Sequence, residues 1–210
     1  KTLLLVFGFL SMGLAAVFMV GQRDYKRLLA YSSVENMGIL AVGVGLGNAA
    51  TFGALLHAVN HSMCKAALFL LAGNVLRAYG TTTAGDVQGV LRRLPTTGVL
   101  LTVAFLAIGG MPPFGPFVSE LVIFQSAVQN SHLALGILFV VFLAIAFLGM
   151  AGVLLPMLQG DCATSPSQEQ KLCVLPPMAL CVVVLILGVY VPAPIADVLH
   201  KAATLLGGGS

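Results

Sequence analysis

Residues 55–73 read LLHAVNHSMCKAALFLLAG and place His57, His61 and Lys65 at successive intervals of four residues in an otherwise apolar run. Because an α-helix turns ~100° per residue, four steps return to within about 40° of the starting direction, so the three side chains share one helix face. The run is long enough to span a bilayer, where a central lysine costs roughly 2.5–3.5 kcal/mol to insert. Such a cost indicates a function, typically an ion pathway or a proton relay.

The composition excludes an ordinary soluble domain. Hydrophobic residues make up 59% of the 210 residues and charged residues only 8%, whereas roughly a quarter of a soluble domain is charged. The net charge of +3 is small and its basic residues fall in short loops, which indicates membrane topology rather than nucleic-acid binding. The four cysteines have no C-x-x-C spacing and no dinucleotide-binding fingerprint is present, so we expect no metal site, disulfide framework or redox cofactor.

The hydropathy pattern predicts an all-α integral membrane protein with a single transmembrane domain over residues 1–210. About six transmembrane helices are expected, at residues 2–20, 28–46, 51–76, 96–129, 133–158 and 172–191. Residues 21–27 and 77–95 are both basic, so the positive-inside rule places them together in the cytoplasm. The chain begins with Lys rather than Met, so we expect a fragment or a cropped chain.

The fourth span is predicted to be discontinuous. Its residues 109–116 read GGMPPFGP, and this density of proline and glycine removes amide donors and permits unusual dihedral angles. Two half-helices with an irregular join are therefore expected, and irregular backbone at membrane depth must be buried in protein or line a wet cavity. Glu120 follows the break, near the positive amino end of the second half-helix, where a carboxylate is stabilised.

Two further segments have weaker signals. The polar stretch 79–95 could contain a short helix at the membrane interface, with apolar positions at Val87, Val90, Leu91 and Leu94. The polar loop 160–171 should be cytoplasmic because of the number of spans that precede it. The last span should stop at Pro192 and Pro194, before a tail that contains His200 and Lys201.

Each candidate residue also has an ordinary structural interpretation. Lys65 could be a lysine that extends to the interface from a helix end, but a long apolar stretch on both sides disfavours this. His57 and His61 could be hydrogen-bonded interior histidines, although their shared face with Lys65 favours proton transfer. The H-x-x-x-H pair lacks the internal Glu of H-E-x-x-H, so metal binding is disfavoured.

The two acidic candidates are Glu120 and Glu35. Glu120 lies between a helix break and an apolar run, which favours a partner role to Lys65. Glu35 interrupts the second span and could serve the relay, or could instead form an ion pair at the interface with Arg27 or Lys26. A nearby carboxylate favours the charged form of a lysine and burial disfavours it, so a moving carboxylate can make a buried lysine hold or release a proton.

Four motifs in order resemble one membrane family. DYKRLLAYSSVENMGI at 24–39, LLHAVNHSMCKAALFLLAG at 55–73, GVLRRLP at 89–95 and GGMPPFGPFVSELVIF at 109–124 are similar to the antiporter-like subunits shared by respiratory complex I, Mrp-type cation/proton antiporters and membrane-bound nickel-iron hydrogenases. The branch that the chain resembles most is the hydrogenase-4 and formate hydrogenlyase type. The resemblance covers residues 1–158, whereas the final transmembrane helix, at 172–200, resembles the family only in hydropathy.

The resemblance implies two inverted repeats of five helices each, with one discontinuous helix per repeat. Residues 1–158 correspond to the second repeat and its flanks. In that family Lys65 would be the central proton-carrying lysine, His57 and His61 would connect it through water toward the first half, and Glu120 would open the exit route. Many relatives have a histidine at the position of Asn36, and the first repeat is absent from these residues.

The function implied is proton translocation by a subunit of a redox-driven complex of the hydrogenase or complex I type, in the plasma membrane. The partners implied are the other membrane subunits, the lipid bilayer, and protons or sodium ions. The alternative is a sodium/proton antiporter subunit of the Mrp type. Two rival classes are a membrane cytochrome with His57 or His61 as a haem ligand, and a passive membrane scaffold.

Overall fold

The structure, a computed structural model, describes residues 1–160 and 167–208. Within these residues the chain is helical and contains no β-strand. The helices are α1 (Thr2–Met19), α2 (Tyr25–Leu46), α3 (Ala49–Tyr79), α4 (Val90–Arg93), α5 (Pro95–Ile108), α6 (Gly115–Gln129), α7 (Leu133–Gln159), α8 (Lys171–Val189) and α9 (Ala193–Ala203). A 3₁₀ turn at Ala84–Asp86 and a π turn at Thr204–Gly208 complete the described elements.

The expected fold class is confirmed. Five helices, α1, α2, α3, α7 and α8, are long and apolar enough to cross a membrane. The remaining crossing is divided between α5 and α6, so the spans number six, and one of them is discontinuous. Helix ends follow local chemistry: the Asp24 carboxylate accepts the Arg27 amide at the start of α2, and Gly80 ends α3 in a left-handed conformation.

The helix break occupies residues 109–114. Gly110 has a φ of +68°, a value that glycine adopts without the steric cost of a side chain. Pro112 and Pro113 have no amide hydrogen, and the peptide bond between them is cis. The predicted break is therefore present, because the backbone there cannot continue the hydrogen-bond ladder of α5.

Helix α3 is the central element of the bundle. It contacts α2, α5, α6, α8 and α9, and much of its length is buried. Around the break, neighbouring backbones approach closely: a Cβ on Gly188 of α8 would overlap the Pro113 carbonyl and the backbone of Phe114 and Gly115. Helices α1 and α2 pack as tightly, with Gly8 against Gly38. These contacts fix α3 and α8 against the two half-helices.

The segment before α5 differs from its prediction. Val87 and Val90 are both fully buried, and they belong to the main apolar cluster together with residues of α2, α3 and α7. The apolar side chains that the sequence assigns to a membrane interface are thus covered by protein. The helix itself is short, spanning only Val90–Arg93.

The C-terminal part also differs from its prediction. Residues 172–200 do not form one continuous transmembrane helix, because α8 ends at Val189 and α9 starts at Ala193, beyond Pro192. A proline cannot donate the amide hydrogen bond that would continue α8. The expected tail is instead helix α9, where the His200 ring stacks on Phe52 of α3 with 4.2 Å between ring centroids.

The predicted loop 160–171 is described only in part, since residues 161–166 lie outside the described residues. The Glu169 carboxylate accepts hydrogen bonds from the amides of Thr96 and Thr97 at the start of α5. Residues 167–170 therefore lie on the same side as the basic segment before α5, as the count of spans requires.

Candidate functional site

Lys65 projects from α3 into the protein and not into lipid. Its side chain is 7% exposed. The ammonium group donates to the Leu29 carbonyl of α2 at 2.5 Å and to the Ser32 hydroxyl of the same helix. Helix α2 thus supplies the polar groups that hold this amine at membrane depth, which replaces part of the hydration lost on insertion.

The His57 ring bridges α2 and α6. Its Nε2 lies 2.9 Å from Asn36 Oδ1, and its Nδ1 lies 2.9 Å from Ser119 Oγ. The ring is completely buried. Ser119 Oγ also lies 2.8 Å from the Pro116 carbonyl, within the first turn of α6. His57 is therefore connected directly to the half-helix that follows the break.

Asn36 determines which His57 nitrogen carries the proton. The Asn36 amide nitrogen donates to the Ser32 carbonyl at 2.6 Å and faces Glu35 Oε2 at 3.2 Å. Its oxygen is therefore the atom that faces His57, and a carbonyl oxygen only accepts hydrogen bonds. Neutral His57 accordingly donates from Nε2 and keeps an acceptor nitrogen, Nδ1, toward Ser119. Asn36 thus makes the connection to His57 at the position where many relatives have a histidine.

These contacts form one continuous polar chain across three helices. It starts at Lys65 and passes through Ser32, Asn36 and His57 to Ser119 at the break. Among these residues the sequence singles out Lys65 and His57 and leaves the role of Asn36 open. It misses Ser32 and Ser119, although Ser119 directly precedes Glu120 and Ser32 lies one helical turn before Glu35.

His61 lies on the same face of α3 as the other two members of the stripe. Its ring is nearly parallel to that of His57, with 6.3 Å between centroids and 18° between planes. The side chain is 6% exposed and interacts electrostatically with Lys65. The predicted stripe of two imidazoles and one amine is thus present on the buried side of α3.

Glu35 is buried within the helix bundle. Its side chain is 5% exposed, its carboxylate faces the Asn36 amide, and it interacts electrostatically with Lys65. These neighbours differ from the exposed ion pair with Arg27 or Lys26 that the sequence leaves open. Glu35 therefore belongs to the same cluster as Lys65.

Glu120 is placed beside the break, as predicted, but does not contact Lys65 directly within the described residues. It is 8% exposed and its carboxylate lies against Gly110. It lines a cavity of about 320 Å³ whose other walls include Phe117, Phe124, Phe139 and Phe147. Its electrostatic interaction with Glu35 indicates that both carboxylates act on the same buried region.

The described residues contain no group of three or more His, Cys, Asp or Glu side chains arranged to hold a metal ion. The only chemistry that the polar chain offers by itself is hydrogen bonding and proton transfer. Each of its members can donate or accept a proton or a hydrogen bond at a buried position.

Comparison with known proteins identifies the family. The model of the family described as "NADH:quinone oxidoreductase/Mrp antiporter, TM" matches residues 1–149. The chain belongs to this family. The resemblance predicted from the four motifs is therefore confirmed, and the buried polar chain lies entirely within the residues that match the family model.

Relatives and solved structures agree with this assignment. The chain is 34% identical over 208 residues to the Hydrogenase-4 component F homolog of Methylacidiphilum infernorum, an alignment that covers 97% of the chain and 43% of the relative. A chain of respiratory complex I from Thermus thermophilus matches with a TM-score of 0.85 and 28% identity, over 100% of this chain and 45% of its own length. A chain of an archaeal membrane-bound sulfane sulfur reductase matches with a TM-score of 0.88 and 25% identity, over 98% and 42% respectively.

This member of the antiporter-like family spans less than half the length of the curated relative and of both structural matches. Its relatives are subunits of multi-subunit membrane complexes. The fold and family assignment place the chain in a membrane, which it crosses several times.

Proposed function

We propose that the chain carries one half-channel of a proton-translocating subunit in a redox-driven complex of the hydrogenase or complex I type. The carrying observation is the unbroken hydrogen-bonded chain from Lys65 through His57 to Ser119. In this proposal Lys65, His57, His61, Glu35 and Glu120 move or hold protons. The subunit itself holds no redox cofactor, and its energy comes from a neighbouring redox subunit in the plasma membrane.

The contacts of His57 support a specific proton-transfer step. In the neutral ring, Nδ1 accepts the Ser119 hydroxyl proton as a hydrogen bond while Nε2 donates to Asn36. When Nδ1 takes up a proton, it becomes a donor, and the Ser119 hydroxyl can rotate to donate to the Pro116 carbonyl, which is 2.8 Å from Ser119 Oγ. The site can thus hold His57 in either charge state with its hydrogen bonds satisfied.

Lys65 has the complementary arrangement. Its ammonium group donates to Leu29 and Ser32, and the nearby Glu35 carboxylate compensates its charge. If Glu35 or Glu120 becomes protonated or moves, that compensation is reduced and Lys65 releases its proton more easily. Charge movement in a neighbouring redox subunit could drive this change through the line of buried ionisable groups.

A sodium/proton antiporter subunit of the Mrp type is the second candidate, because the family includes both kinds of protein. The two functions differ in their dependence on sodium. Proton movement that requires sodium on the opposite side of the membrane would favour the antiporter. A membrane cytochrome is a less favoured class, and an absorbance spectrum without a haem band would exclude it.

The proposal is tested with the complete subunit in its complex, reconstituted into vesicles and driven by its electron donor. Lys65→Ala should abolish the proton movement that accompanies electron transfer, since the amine is the central proton carrier. Lys171→Ala, at the exposed start of α8, is the matched control and should behave as wild type. Unchanged proton movement in Lys65→Ala would instead support a passive scaffold.

A further inference from the structure

Asn60 lies between the two histidines of α3, and nothing in the described residues satisfies its side chain. It is completely buried, and neither its amide nitrogen nor its oxygen has a hydrogen-bond partner there. The Nδ1 atom of His61 is buried and unpartnered in the same way. Buried polar atoms in native proteins are nearly always hydrogen-bonded, and internal water is the usual partner where the protein supplies none.

The Asn60 side chain is aimed at the amino end of α6. It lies so close to Gly115, the first residue of α6, that a Cβ at Gly115 would overlap Asn60 Oδ1, Cγ and Nδ2. The first amides of a helix have no partner within the helix, and the cap residue Phe114 supplies no side-chain hydrogen bond. Donors at the start of α6 thus lie beside an amide that offers both a donor and an acceptor.

The chemistry of these atoms selects the ligand. Asn60 Nδ2 needs an acceptor, whereas Asn60 Oδ1 needs a donor. Water serves both needs. A sodium ion would bind only the oxygen and would leave Nδ2 unsatisfied, and the positive end of the α6 dipole would repel it.

We propose that Asn60 is a positioning residue that holds an ordered water molecule between His61 and the amino end of α6. The inference rests on the proposed function, because it gives the proton relay a second connection to the break beside that of Ser119. The water donates one proton to His61 Nδ1 as it accepts another on its oxygen, so it is unchanged by the transfer. Asn60 itself takes up and releases no proton.

Direct observation of the water is the first test. In a cryo-electron microscopy map of the complete complex that resolves ordered water, we expect density within about 3 Å of the Asn60 amide. The density should persist in sodium-free buffer and disappear in Asn60→Leu. Density that vanishes without sodium, or an Asn60 amide bonded directly to protein with no density beside it, would overturn the proposal. The wild-type map alone decides this, even if the leucine variant fails to assemble.

Proton movement in reconstituted vesicles is the second test. Asn60→Leu, a substitution of similar size without hydrogen bonding, should slow proton movement per assembled complex about tenfold. Asn60→Ser should stay close to wild type, because the smaller hydroxyl leaves room for water and binds it. Asn74→Leu is the matched control on the same helix, where the side chain bonds the Cys173 carbonyl at 3.0 Å, and it should leave proton movement unchanged.

Two outcomes of the second test contradict the proposal. They are wild-type proton movement in Asn60→Leu, and equal loss in the leucine and serine variants, which would indicate a packing role alone. Failure of the proposed function is recognised separately. In that case Lys65→Ala retains proton movement, whereas the water density beside Asn60 is still present or absent on its own evidence.

Discussion

His57 Nδ1 lies 2.9 Å from Ser119 Oγ, and this contact joins the unbroken helix α3 to the half-helix that follows the break. The same hydroxyl lies 2.8 Å from the Pro116 carbonyl, so it has two alternative acceptors. The position of one hydroxyl proton therefore depends on the charge of His57. A proton on the imidazole is thereby transmitted to the backbone at the break.

Ser119→Ala should slow proton movement about tenfold, because Nδ1 of His57 loses its buried partner and the protonated ring loses its acceptor. The measurement is the rate of vesicle acidification per electron transferred by the intact complex. Ser126→Ala is the matched control on the same helix, since Ser126 is also buried but lies away from His57. Equal rates in the two variants would remove Ser119 from the relay.

Glu120→Gln should reduce proton movement more than electron transfer. The substitution keeps the shape of the side chain beside Gly110 but removes the negative charge that acts on the buried region. Both rates are measured on the same vesicles, with Glu169→Gln in the partly exposed loop as the matched control. An equal loss of both rates would show that Glu120 supports assembly and not the proton path.

Gly38→Ala should destabilise the bundle by about 1–3 kcal/mol through overpacking. A Cβ on Gly38 would overlap the backbone of Gly8 and the Met12 side chain of α1. Gly73→Ala on α3 is the control, since nothing lies within 4 Å of its Cβ position, and alanine is favoured over glycine in a helix. Thermal unfolding in detergent measures both, and a Gly38→Ala midpoint at or above that of Gly73→Ala would contradict the packing.

Glu169 should make stability depend on pH in the acidic range. Burial alone would raise the pKa of Glu169, but hydrogen bonds from the Thr97 hydroxyl and from the amides of Thr97 and Thr96 outweigh it and lower the pKa below its usual value. A lowered pKa in the folded state means that the unfolded state binds protons first as the pH falls. The stabilisation is therefore complete above the ordinary glutamate pKa of about 4.3 and is lost as the pH falls through the folded value.

The pH effect of Glu169 is measured as the difference in unfolding midpoint between wild type and Glu169→Gln. The difference should be largest at neutral pH and should shrink below about pH 4. Asp197→Asn on the exposed side of α9 serves as the comparison. A difference that stays constant across this range would show that the Glu169 contacts do not depend on its charge.

Local signals in the sequence predicted much of this architecture. Hydropathy predicted the spans, and the prolines and glycines of residues 109–116 predicted the break, because each effect acts on its own stretch of backbone. The face of α3 that carries Lys65 followed from helical periodicity. Pairings between helices could not be predicted in this way, since Ser32, Asn60 and Ser119 reach the site only through the rotation of α2, α3 and α6 against one another.

Two mistaken predictions have a common cause. The apolar positions at Val87 and Val90 and the residues after Pro192 were interpreted from amphipathic or proline patterns alone. An apolar face is buried equally well by lipid and by protein, so the pattern does not distinguish a membrane interface from a core. The tertiary neighbours decided both cases: α4 is covered by other helices, and α9 continues along α3 with His200 on Phe52.

The absence of a side chain at Gly188 makes the end of α8 a mechanical extension of the break. Because Gly188 lies directly on the backbone of residues 113–115, the two half-helices cannot shift without displacing the last turn of α8 and the joint to α9. A fluorescent label at the exposed His200 end of α9 would therefore register rearrangements that occur deep in the bilayer. Turnover could then be followed optically from the surface, without any probe in the relay.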